Sequence, residues 1–273
     1  MSGAERPPHA VLVRSPAGFG PAAVAAVIAK RSGAVPLDVL PVVRRGWGVA
    51  AESLPAADAE ALAAELTAAG QSSLAVPTTL LETPAAPALV AKAELVDAGF
   101  GVLAGPENLE PERLAWARLA GLCAAGLEIR TTTTTTESGP GQMAAKAVRL
   151  GLTLATGLPL PMGGGEEKKR VIETRDRVLV LDLLFVEPAR SLRIESARFD
   201  YSLLGARMGY SAESNFARLL ADLAERAPKA LRGKGTRAIL DRRRAAESAY
   251  ESLDDLRREE RWLLTLVALR AAL

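Results

Sequence analysis

The sequence is poor in the side chains that carry most enzyme chemistry. Its 273 residues include one cysteine, Cys123, and one histidine, His9. A single thiol excludes an internal disulfide and a cysteine-based metal cluster. A Ser-His-Asp arrangement would have to use His9, which lies in the N-terminal tail. A metal would have to be held by carboxylates alone, and the chain has no acidic cluster at suitable spacing, so neither metal nor cofactor is expected. Aromatic residues are also scarce, with five Phe, three Tyr and three Trp, which leaves alanine, leucine and valine to fill the core. The net charge is only +2, which argues against a dedicated nucleic-acid binder. No apolar run approaches the roughly 20 residues of a membrane span. Glu5, Arg6, Pro7 and Pro8 precede the first apolar run, unlike a secretory signal. These absences suggest a cytoplasmic protein, and the length suggests about two domains.

The strongest pattern that is present runs from Arg177 to Pro228. Val178–Val186 is a solid apolar run, broken by Glu187-Pro188-Ala189. A second run, Leu192–Phe199, alternates, with Leu192 and Ile194 on one face and Arg193 and Glu195 on the other, as a half-buried strand requires. Ser211 is placed to cap a helix in which Phe216, Leu219, Leu220 and Leu223 share one face, and Pro228 ends it.

The N-terminal third follows a leader at residues 1–9. Ala10–Arg14 reads as a strand, and Pro21 opens a helix with Val24, Val27 and Ile28 on its apolar face, ended by Gly33. Leu37–Val43 is a short helix or strand, and Trp47–Glu52 a strand. Pro55–Ala69 is a helix with Ala59, Leu62, Ala63 and Leu66 aligned and Gly70 at its end, and Ser73–Val76 is a strand. This order over residues 10–77, carried by "VLVRSPAGFGPAAVAAVIAKRSG" and "AADAEALAAELTAAG", resembles the small α+β module of the Clp protease adaptor and of the ribosomal stalk protein's C-terminal domain. The resemblance implies a βαβαβ-type module that binds another protein, with the helix after the first strand supplying much of the contact.

Residues 78–90 read as a proline-rich linker. From Ala91, short strand-like pieces at Ala93–Ala98, Gly101–Ala104, Arg113–Leu119 and Leu122–Arg130 lead into six threonines, Thr131–Thr136, taken as a strand end fraying into a loop. Met143–Thr156 is a candidate helix and Gly163–Arg170 a flexible return, so 131–170 is treated as an insertion. The order "LAWARLAGL", "RVLVLDLLF", "RSLRIESARFDY" and "NFARLLADLAERAP" resembles, over residues 91–228, the pleckstrin-homology-like fold, a curved sheet capped by a helix, and places a domain of that kind at 91–231. Residues 232–273 then form a basic connector and a C-terminal helix from Ala245 to Leu269. The expected class is therefore α+β, with a small βαβαβ-type module, a pleckstrin-homology-like domain and a helical tail.

The sharpest candidate for function is the basic stretch. Arg232, Lys234, Arg237, Arg242, Arg243 and Arg244, with Lys229 before them, are opposed only by Asp241. They suit phosphate groups of a lipid or other ligand, or serve as a solvated connector. Gly233-Lys234-Gly235-Thr236 fails the phosphate-loop spacing, because Pro228 stands where the first glycine belongs. Trp262 follows Arg257, Arg258 and Arg261 on the terminal helix and is a candidate docking residue. Asp182, Asp200 and Glu195 are the carboxylates that would have to converge for acid–base work. These features favour a non-catalytic adaptor that engages a protein partner. The alternatives are a peripheral binder of an anionic membrane or phosphate-bearing ligand through 229–244, and a carboxylate-dependent enzyme.

Overall fold

A computed structural model describes residues 7–103, 111–136 and 169–272. The chain is α+β and divides into two compact units: residues up to Leu127 together with those from Val178 onward, and Glu128–Arg177. The second unit contains the ends of two long strands, and the expected helix at 143–156 lies outside the described residues, as does all of the expected return except Lys169 and Arg170.

Within the first unit the chain begins with β1 (His9–Val13), α1 (Pro21–Ser32), α2 (Pro36–Gly46), β2 (Val49–Leu54), α3 (Ala56–Ala68) and β3 (Ser73–Pro77). The three strands are ordered β2-β1-β3, with β1 antiparallel to both neighbours. Ala10, Val11 and Leu12 are completely buried, so the central strand is covered on both faces, which explains its unbroken apolar sequence. Pro21 starts α1, where its missing N–H costs nothing, and Gly33 ends it at φ 70°. The short element expected at Leu37–Val43 is the longer helix α2, with Pro36 in its first turn.

The next strands are β4 (Ala88–Leu89), β5 (Ala93–Val96), β6 (Gly99–Val102) and β7 (Glu112–Ala115), of which the last three form an antiparallel sheet. A five-stranded sheet follows the order β11-β8-β9-β10-β4, built from β8 (Leu119–Thr136), β9 (Lys169–Phe185), β10 (Arg190–Glu195) and β11 (Leu231–Arg232). The threonine run therefore continues β8 to Thr136. The break at Glu187-Pro188 is the turn between antiparallel β9 and β10, which pair Leu183 with Leu192 and Leu181 with Ile194.

From Val178 to Phe185, β9 is apolar except for Asp182, because both faces are buried there. Leu179, Leu181, Leu183 and Phe185 join a cluster with Phe216, Leu219, Leu220 and Leu223 of α4 (Ala212–Arg226), whose Ser211 cap accepts a hydrogen bond from the Ser214 N–H. Val180 and Leu184 join a different cluster with Leu256, Trp262, Leu263 and Leu266 of α6 (Leu253–Ala272) and with β1. One apolar cluster thus contains α6 together with residues of both the five-stranded and the N-terminal sheet. This corrects the picture of a helical tail. The helix begins at Leu253 rather than Ala245, the residues Ala245–Ser248 form a 3-10 turn, and α6 is a core element.

The basic stretch is likewise no loose connector. It contains β11 and α5 (Lys234–Leu240), which complete the open edge of β8. Leu231 and Arg232 pair in parallel with Gly121 and Leu122, and the Gly233 N–H donates to the Leu122 carbonyl at 2.9 Å. The buried Thr236 hydroxyl then takes over. It donates to the Leu122 carbonyl at 2.7 Å and accepts from the Ala124 N–H at 2.8 Å. Further along, the Tyr250 N–H donates to the Gly126 carbonyl at 3.0 Å. A strand edge buried under other elements needs such partners. A Cβ at Gly235 would lie 2.0 Å from the Ala124 oxygen, so glycine is required there for close approach.

Candidate functional site

A cleft of about 380 Å3 opens between the loop after β1, the C-terminal end of α2, the start of α5 and one side of α6. This volume falls within the range of small-molecule sites. Its apolar wall comprises Phe19, Trp47, Tyr250 and Trp262, and its cations are Arg44, Arg45, Lys234 and Arg237.

The rings are ordered by the fold. Trp262 is 1% exposed, and its indole N–H donates to the Val13 carbonyl at 2.8 Å. Phe19 meets it edge-on at 5.4 Å between centroids. Gly48 makes this packing possible, since a Cβ there would fall 1.8 Å from the Trp262 ring. Trp47 stacks on Tyr250 at 5.0 Å. It does so from an uncommon backbone conformation, φ 53° and ψ −135°, with its indole N–H buried and without an acceptor. Each feature is unfavourable by about 1–3 kcal/mol, so Trp47 sits at the cleft at a cost to stability.

A buried hydrogen-bond network holds the base of the cleft. The Glu259 carboxylate accepts from the Tyr250 hydroxyl at 2.5 Å and from the Lys234 N–H at 2.6 Å, while the Tyr250 oxygen accepts from the Gly235 N–H at 3.1 Å. Burial raises the pKa of Glu259, although these donors act against it. Burial and the adjacent Glu259 carboxylate push the Tyr250 hydroxyl well above its ordinary value. Glu259 therefore ties α6 to the first turn of α5 and fixes where Lys234 emerges.

The charge balance at the cleft is positive. Lys234 Nζ lies over the Trp47 and Tyr250 rings, at 5.9 and 5.7 Å from their centroids. Among the described residues Lys234, Arg44 and Arg45 have no ion-pair partner. Of the lining acids, Asp255 is engaged by Arg258 at 2.8 Å and Glu259 by the contacts above, while Glu251 is exposed. Arg237 is used structurally, donating to the carbonyls of Arg232 and, at 3.0 Å, of Pro16.

The candidate residues are thus dispersed. Lys234, Arg237 and Trp262 converge on the cleft. Arg232 donates to the Ala224 carbonyl at the end of α4, at 3.3 Å. Arg242, Arg243 and Arg244 occupy the exposed turn after α5, where Arg243 pairs with Asp241 and Glu247. Trp262 is buried rather than presented for docking, because its indole forms the floor under Phe19 and β1. In the sequence Trp47 reads as the start of a strand, and Arg44 and Arg45 fall between it and the element before. Their role depends on contact with residues about 200 positions away, which no local pattern records.

The three candidate carboxylates do not line the cleft. Asp182 is buried and held bidentately by Arg193, at 2.7 and 2.5 Å. Asp200 caps the Ser202 N–H and pairs with Lys92, which together hold its pKa low, and Glu195 pairs with Arg198. Glu260 on α6 lies fully buried, with both carboxyl oxygens lacking a hydrogen-bond partner, and burial and the neighbouring Asp182 push its pKa up to about 10. Cys123 is sealed in the core, and burial with nearby acids raises its thiol well above the ordinary range. Among the described residues no group of three metal-ligating side chains is arranged to hold an ion, and no helix is long and apolar enough to cross a membrane. No family model, no curated protein and no solved structure matches this chain.

Proposed function

We propose that the chain is a binding protein whose cleft receives a negatively charged group carried on an apolar or aromatic body. The observation that supports this most strongly is the grouping of three cations without ion-pair partners, Lys234, Arg44 and Arg45, beside an aromatic wall. An anion there gains charge-assisted contacts, and its apolar part covers ring surface. The cost borne at Trp47 supports the same reading, since such outliers collect at sites kept for function. The order β1-α1-α2-β2-α3-β3 supports reading the N-terminal part as a small binding module, with α2 contributing the cleft's arginines.

Isothermal titration with phenyl phosphate beside inorganic phosphate tests the proposal. Phenyl phosphate is expected to bind more tightly, and Lys234→Ala to weaken it by about tenfold, the size of one charged contact. Equal binding of the two probes, or an unchanged affinity in the variant, contradicts it.

A further inference from the structure

The cleft has a continuation. α2 runs up to it and carries a short apolar stripe on its outer side, formed by Leu37, which is 75% exposed, and the exposed Pro41. Leu37, Pro41 and Arg45 are spaced four apart and so lie one above the other, while Arg44 follows Pro41 by three. The stripe therefore leads to the two arginines that line the cleft. The inner side of α2 is already used, with Val43 buried in the core. The helix dipole favours cations at this end, but it gives no reason for apolar residues to face solvent over the preceding turns.

We propose, resting on the cleft reading above, that the occupant is an acidic segment of a partner polypeptide: one carboxylate side chain enters between Lys234, Arg44 and Arg45, and neighbouring apolar residues lie along Leu37 and Pro41. Charge complementarity selects this partner. Among the described residues three unpaired cations outnumber the one unpaired lining acid, Glu251, at the end of α2 that meets the cleft, which matches an acidic residue followed by apolar ones. A bilayer fits less well. The cations line a recess instead of a flat face, and Trp262 is buried instead of projecting. A side chain enters a recess that a lipid surface spans.

The test is a displayed library of twelve-residue peptides rich in Asp, Glu and apolar residues, beside a matched library with Lys at every acidic position. Both are selected on the full chain. Peptides from the acidic library are expected to be enriched, and the selected peptides to lose about tenfold in affinity for Lys234→Ala and for Leu37→Asp. Leu37 is three-quarters exposed, so its substitution leaves the fold intact, and phenyl phosphate binding to Leu37→Asp is expected to be unchanged. Equal enrichment of the two libraries, equal peptide affinity for the wild type and Leu37→Asp, or Leu37-dependent binding of phosphatidylserine vesicles in place of peptides overturns the proposal. If phenyl phosphate binds but no peptide is enriched, the polypeptide partner falls and the anion cleft stands. If phenyl phosphate does not bind, both fall.

Discussion

Thr236 shows how one hydroxyl can stand in for a strand. It is fully buried, and its hydroxyl accepts from the Ala124 N–H on the edge of β8 and donates to the Leu122 carbonyl, which also receives the Gly233 N–H. Thr236→Val keeps the shape and orphans one buried donor, which costs about 1–3 kcal/mol. Thr236→Ser keeps the hydroxyl and removes one methyl group, costing about 1 kcal/mol. Urea denaturation of the two variants separates these expectations, and a serine variant as unstable as the valine variant would refute the role given to the hydroxyl. In the sequence this threonine sits in Gly233-Lys234-Gly235-Thr236, which has a phosphate loop's residue types without its spacing. The glycines serve close packing against Ala124 and Glu259, and the threonine serves the sheet. Spacing alone could reject the wrong motif there, but the right role depended on β8, more than a hundred positions away.

Among the elements, those that were legible carry their own period and punctuation. α1, with Pro21 and Gly33, and α4, with Ser211 and a leucine face, stand where the sequence places them. β9 and β10 were also legible as a pair around Pro188. α6 was read as a helical tail, yet Glu259 and Glu260 on it are fully buried. Burial of a charged residue is a property of the neighbours, here Asp182 and Arg193 of the sheet and Tyr250 before the helix, and periodicity does not report it.

Glu260 gives this element a pH signature. An unfolded glutamate titrates near ~4.3, while in the folded chain burial and Asp182 raise the value to about 10. Between these values the folded state holds a proton that the unfolded state has released. The stabilisation is therefore complete below the unfolded value and declines as pH rises toward the folded one. Glu260→Gln cannot ionise in either state. Its stability relative to wild type is expected to rise steadily from pH 5 to pH 9 in denaturant titrations, and a constant difference across that range would show that the buried carboxyl does not titrate as described.

Across the whole molecule, the cleft is assembled from segments that the sequence keeps far apart: residues 16–21, 44–47, 234–237 and 249–262. Of the cations in the basic stretch, only Lys234 and Arg237 reach the cleft. Arg44 and Arg45 come instead from the N-terminal third. Their convergence depends on α6, which shares one apolar cluster with β1 and with β9. The scarcity of aromatic residues gives the site weight. Two of the three tryptophans, Trp47 and Trp262, lie at this cleft.

The most direct measurement is a crystal structure of the full chain soaked with phenyl phosphate. The expected result is phosphate density within hydrogen-bonding distance of Lys234 Nζ and of the Arg44 or Arg45 guanidinium, with the ring against the Trp47–Tyr250 wall. Density at the exposed Arg242–Arg244 turn instead, or an empty cleft at a saturating concentration, would contradict the assignment of this cleft as the binding site.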